Sequence, residues 1–146
     1  MEHGWRLTRE SWNALGQRLE GRRWRKALFR QRYRDTIPQS SGVYAICAPP
    51  PVHVREFVPK GLYEVLYVGL STNLQNRFLQ HLGRHPKEEI AQLSECYGPS
   101  EHLNFWFVAA EETEIKGLEA ALIECFGPPG NLIGGIKATV GPPRPA

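Results

Sequence analysis

Long apolar runs are missing from this 146-residue chain. No stretch approaches the ~20 apolar residues of a membrane helix, and "MEHGWRLTRESW" at the start lacks the apolar core of a secretory leader. These absences speak against a membrane partner and against export, so a cytoplasmic protein is expected. Cysteine is also scarce. Cys47, Cys96 and Cys125 are odd in number and far apart, with no Cys-x-x-Cys spacing, which fits reduced, buried thiols rather than a disulfide framework or a zinc knuckle. Carboxylates are thin at one end: residues 1–35 hold four of the 15 Asp and Glu but ten of the 18 Lys and Arg. That segment carries +6 and the remainder −3, so the charge is concentrated in an amino-terminal arm.

The core of the arm, "GRRWRKALFRQRYRD" (21–35), has helix-forming composition and interleaves arginines with Trp24, Phe29 and Tyr33. The expectation is a first helix from Thr8 to Gly21 and a basic helix from Arg22 to Arg34. Guanidiniums bind phosphates bidentately and aromatic rings stack on bases, which makes Arg22, Arg23, Arg25, Lys26 and Arg30 candidate nucleic-acid contacts. The competing reading is an amphipathic helix whose Leu28 and aromatics pack on the domain while its charges stay solvated. No repeat is visible, and the length suits one domain of about 100–150 residues. The expected organisation is a basic helical arm at 1–37 packed on or beside a main domain at 38–135, with a proline-rich flexible tail at 136–146.

Beyond the arm, strands are expected at 42–47, 64–68 and 102–110, the last central because of its aromatics. The connector "APPPVHVREFVPKGLYE" is too proline-rich for a tight hairpin, though "HVREFV" has the composition of a short edge segment. Helices are expected at 73–82, 87–96 and 113–126. The last is anomalous: Ile115, Leu118, Leu122 and Phe126 form an apolar stripe, and Glu119 projects between Ile115 and Ile123 inside it. A carboxylate aimed inward calls for a salt bridge, a raised pKa or a metal ion. Arg77 and His81 lie one turn apart along the margin of the 73–82 helix. Tyr44 and Tyr67 can share one face of an antiparallel pair, where they are either ordinary sheet aromatics or part of a site with Arg77, His81 and Glu119.

The ordered set Gly42-Val43-Tyr44, Tyr67-Val68-Gly69, a helix with Arg77 and His81, a helix-borne Glu119 and Asn131 within "GPPGN" resembles the GIY-YIG nuclease family over residues 40–133. The resemblance implies a small mixed α+β (α/β) domain, a three-stranded antiparallel sheet flanked by helices. It also implies hydrolysis of DNA phosphodiester bonds, on double-stranded DNA, with Mg²⁺ or Mn²⁺ as cofactor, by a monomer or homodimer. Tyr44 and Tyr67 match the signature tyrosines, Arg77 the phosphate-binding arginine, Glu119 the metal-binding glutamate and Asn131 the motif asparagine. His81 matches a histidine that some members carry. Leu70 stands where many members have a lysine, so a cation tuning the tyrosines would come from Lys60 or the arm. The alternative function is a nucleic-acid-binding or adaptor protein that keeps the fold without cutting.

Overall fold

Four strands and three helices are formed by the residues that the computed structural model describes, 8–50, 56–59, 64–82 and 103–131. In chain order they are α1 (Arg9–Leu19), β1 (Arg25–Leu28), a 3₁₀ segment (Gln31–Thr36), β2 (Gly42–Ala48), β3 (Glu64–Ser71), α2 (Leu74–Leu82), β4 (Asn104–Ala109) and α3 (Glu112–Phe126). The strands make one antiparallel sheet in the order β1-β4-β2-β3. The expected helix at 87–96 and the tail at 136–146 lie outside the described residues, as do His53, Val54 and Arg55 of "HVREFV"; its remaining residues, Glu56, Phe57 and Val58, form a turn rather than an edge strand. Among the described residues no helix is long and apolar enough to cross a membrane.

The sheet has four strands rather than three, and the extra one comes from the segment read as a basic helix. Arg25–Leu28 pairs with β4, Ala27 opposite Phe105 and Leu28 opposite Asn104. Helix-forming composition gives way here to tertiary pairing, because a strand turns Ala27 inward and leaves Arg25, Lys26 and Leu28 outward. Phe29, directly after β1, is also buried. The chain then winds into the 3₁₀ segment, so among its described residues the arm is helical at Arg9–Leu19 and Gln31–Thr36.

α1 starts where a helix should. Thr8 caps it, with Ser11 N–H donating to Thr8 Oγ1 (3.0 Å) and Thr8 N–H donating back to Ser11 Oγ (2.9 Å). It ends before Gly21, whose φ of 80° favours glycine. α3 begins at an acidic turn, Glu111, Glu112 and Glu114, suited to the positive end of the helix dipole, and stops at Gly127 in the left-handed conformation.

The two faces of the sheet bury different sets. One face carries Tyr44, Ile46, Tyr67, Phe105, Phe107 and Ala27, and Leu74 and Phe78 of α2 pack on it. The other carries Val43, Ala45, Cys47, Val68 and Val108 beneath Ile115, Leu118, Leu122 and Cys125 of α3, with Leu15 of α1 beside them. α2 and α3 therefore sandwich the sheet. The β2–β3 register breaks between Ile46, opposite Tyr67, and Cys47, opposite Val65. Leu66 is the extra residue, and the bulge turns it onto the Tyr67 face.

Candidate active site

β2 is an interior strand, buried along almost its whole length, and Tyr44 at its middle has no solvent exposure. Its partner across the ladder is Gly69 on the edge strand β3. A side-chain carbon at Gly69 would collide with the Tyr44 hydroxyl and ring, so the phenol occupies the space above the glycine. Gly42 serves a similar purpose at the start of β2: a carbon there would run into the Val108 carbonyl and the Leu74 side chain. The two motif glycines thus set how close a phenol and a helix come to the sheet. Tyr67 stands on the same face, its ring 6.1 Å from that of Tyr44.

A tight link joins β3 to α2. Ser71 Oγ accepts from Asn73 N–H (2.9 Å), and Asn73 Oδ1 accepts from Asn76 N–H (3.0 Å), capping the helix. Leu74, Phe78 and His81 then form the buried stripe of α2. His81 is part of that stripe, not of its margin, and is only 8% exposed; Arg77 is the marginal, half-buried one. His81 Nε2 lies 2.9 Å from Tyr44 Oη. Its ring meets Tyr44 edge-on at 5.3 Å and Phe29 at 6.4 Å, while Phe105 stacks on Tyr44 at 5.0 Å.

Electrostatics tie the remaining groups to the phenols. Burial is the largest influence on Tyr44 and raises its pKa far above the ordinary tyrosine range; the neighbouring Tyr67 and the Glu119 carboxylate push the same way, against the charge and hydrogen bond of Arg77. Tyr67 is raised chiefly by burial and then by Glu119, opposed by Arg77 and a hydrogen bond with Tyr44. Both phenols are therefore held neutral. Among the described residues the cation acting on them is Arg77; Lys60, one expected source of a tuning charge, lies outside the described residues.

Glu119 reaches this group from the opposite layer. α3 packs on the other face of the sheet, yet among the strands it lies chiefly against the edge strand β3. Glu119 is half-buried, and its charge registers at both Tyr44 and Tyr67. Asn131 sits on the outer edge of β3. Its Oδ1 accepts from Val68 N–H and its Nδ2 donates to Val68 O, both at 2.7 Å, so both ends of the amide hold the strand that carries Tyr67 and Gly69.

A single carboxylate is a sparse donor set. Among the described residues no three His, Cys, Asp or Glu gather as a metal cage. One half-buried glutamate beside neutral phenols fits a hard cation such as Mg²⁺, which keeps most of its waters and takes phosphate oxygens as further ligands.

The basic residues separate. Arg22 forms an ion pair with Glu114 of α3, and Arg23 is exposed between α1 and β1. Arg25 lies over Phe107 (5.5 Å), on the tyrosine face, whereas Lys26 lies over Trp106 (5.5 Å), which packs with the other face. Arg30 is exposed just before the 3₁₀ segment. The burial of His81 and the role of Gln75, which fastens the 3₁₀ segment to α2, had no sequence signal beyond their place on the helix.

No family model and no curated protein matches the chain. Among solved structures it is similar to the GIY-YIG N-terminal endonuclease domain of UvrC from Thermotoga maritima. Bound to its catalytic divalent cation, magnesium, that domain is 25% identical to this chain, with a TM-score of 0.47, over 69% of this chain and 93% of the other. A point-mutant form bound to the catalytic divalent cation is 24% identical, with a TM-score of 0.46, over 70% and 97%.

Proposed function

We propose that this chain is a metal-dependent endonuclease of the GIY-YIG type that hydrolyses phosphodiester bonds in DNA. The observation that carries the reading is the buried hydrogen bond between Tyr44 and His81, with Arg77 and Glu119 both acting on the same pair of phenols. A structural sheet needs no cation, imidazole and carboxylate converging on two tyrosines. Phosphodiester hydrolysis needs a route for the proton of the attacking water and positive charge for the phosphate oxygens.

Neutral phenols act best as relays. Water attacks phosphorus as the P–O bond to the leaving nucleotide breaks, and the leaving oxygen takes a proton from solvent water; the attacking water yields its proton to the Tyr67 oxygen, Tyr67 passes its own to Tyr44, and Tyr44 passes its own to His81 Nε2. Each phenol ends neutral as it began, and the imidazole holds the charge, which suits a residue whose reference pKa is about 6.5. Arg77 has donors beyond the one used on Tyr44 and stabilises the non-bridging phosphate oxygens. Glu119 is the residue that would hold Mg²⁺ or Mn²⁺, which would supply Lewis-acid stabilisation of developing negative charge. Asn131 acts as a positioning residue by clamping β3.

The test is plasmid nicking with Mg²⁺ or Mn²⁺, comparing the wild type with Glu119→Ala. The expected result is a loss of cleavage of at least a hundredfold, the scale of losing one electrostatic stabiliser, with an unchanged far-UV spectrum and melting temperature. A Glu119→Ala protein that cuts at the wild-type rate overturns the metal assignment.

A further inference from the structure

The strand conformation of Arg25–Leu28 divides the basic segment between two faces of the molecule, and that division singles out one part of it. On the tyrosine face, Arg25 lies over Phe107, and Phe107 pairs with Arg25 on one side and Tyr44 on the other. Arg25, Phe107, Tyr44 and Gly69 thus form one transverse row across the sheet.

Beyond Phe29 the chain adds Arg30, Arg32 and Arg34. The Arg32 guanidinium lies over Tyr33 at 5.0 Å and donates to its hydroxyl (3.1 Å), and Tyr33 packs against the tyrosine-face core. These contacts hold the guanidinium in place and leave donors for a phosphate. Among the described residues only one carboxylate pairs with this group, Asp35 with Arg34 at 3.6 Å.

The segment is also fixed relative to the site. Gln75 Nε2 donates to the carbonyls of Arg34 (3.1 Å) and Ile37 (3.2 Å), its Oε1 accepts from Gln39 (3.0 Å), and its backbone N–H donates to Pro38 O (3.1 Å). Gln75 lies on α2 two residues before Arg77, so the ridge and the site arginine belong to one laced unit.

We infer that Arg25, Arg30 and Arg32 form a phosphate-binding ridge, fastened through Gln75 to the helix that carries Arg77, that holds the DNA backbone flanking the bond to be cut. The inference rests on the nuclease reading and refines it. The gripping surface is the β1–3₁₀ ridge, while Arg22 is committed to Glu114 and Lys26 lies across the sheet.

The experiment measures binding of a labelled DNA duplex without divalent metal, from about 50 to 200 mM salt, together with nicking kinetics in Mg²⁺. The Arg30→Ala/Arg32→Ala protein is expected to lower the slope of log affinity against log salt by about 1.8, since each lost phosphate contact removes about 0.9. Its KM should rise with kcat held. Arg30→Lys/Arg32→Lys should restore the slope, and Arg9→Ala, on α1 across the sheet, should leave it unchanged. A wild-type slope in the double alanine protein, or equal flattening by Arg9→Ala, overturns the ridge. Because binding is read without metal, a chain that shows this slope but never cuts sinks the nuclease reading and keeps the ridge. A chain that nicks while the double variant keeps the wild-type slope sinks the ridge alone.

Discussion

Folding favours the neutral form of Tyr44, and that preference has a sign that can be measured. The group's pKa is raised from an ordinary value of 10.0, first by burial, and Cys47 is pushed from 9.0 up to about 12, also first by burial and then by Glu64. In both cases the unfolded chain releases its proton at a lower pH than the folded one. The stability tied to these groups is therefore complete below the unfolded pKa and is lost as pH climbs above it. Melting temperature should hold up to about pH 9, where the Cys47 contribution begins to go, and fall more steeply past about 10, where Tyr44 and Tyr67 join. Tyr44→Phe should blunt the steeper limb in a series of thermal melts. Equal alkaline slopes in the two proteins would show that the phenol is not held neutral by its surroundings.

At the level of elements, the edge strand β3 is the weak member, since among the described elements it has one strand neighbour and it carries both Tyr67 and Gly69. Asn131 supplies the missing partner through a two-way amide contact. Asn131→Ala should cost about 1–3 kcal/mol in urea denaturation, the scale of leaving part-buried backbone groups unpaired. Asn131→Asp should not rescue it, because a carboxylate cannot donate to the Val68 carbonyl. An Asp variant as stable as the wild type would mean that one of the two contacts suffices.

The elements around this strand were legible in sequence to different degrees. β2, β3, β4, α2 and α3 announce themselves by aromatic and β-branched runs, by Asn73 and by Gly127. Tyr44, Tyr67, Arg77 and His81, and Glu119 whose charge acts on the two phenols from the other layer, are visible as an ordered set. β1 was not legible, because the two-residue alternation of Ala27 and Phe29 is too short to outweigh helix-forming arginines and lysine. Nor was the layer of α3: periodicity shows that Glu119 flanks an apolar stripe but not which side of the sheet the stripe covers. Burial of His81 depends on Phe29 arriving from a segment read as helix, a contact that no local pattern encodes.

On the scale of the whole molecule, sandwiching divides labour between the layers. α1 and α3 brace the rear through the Arg22–Glu114 pair, the edge-on contact of Trp12 with Phe126 and the seating of Arg18 over Gly117. The front layer, α2 with the 3₁₀ segment, carries Arg77 and His81, while Glu119 belongs to α3 behind the sheet. β1 closes this assembly on one side and, among the described elements, has a strand neighbour on its inner side only. Such an open rim invites a second sheet to zip onto it, and its first two residues are Arg25 and Lys26, so two copies meeting rim to rim bring like charges together. This positive charge would thus oppose rim-to-rim pairing of two copies of the chain. Arg25→Thr/Lys26→Thr, which removes the repulsion and favours extended backbone, should raise light scattering of concentrated protein at low ionic strength. The wild type should approach that behaviour only as salt shortens the Debye length to a few ångströms, and a variant that stays as monodisperse as the wild type would show that the rim is guarded by something other than its charge.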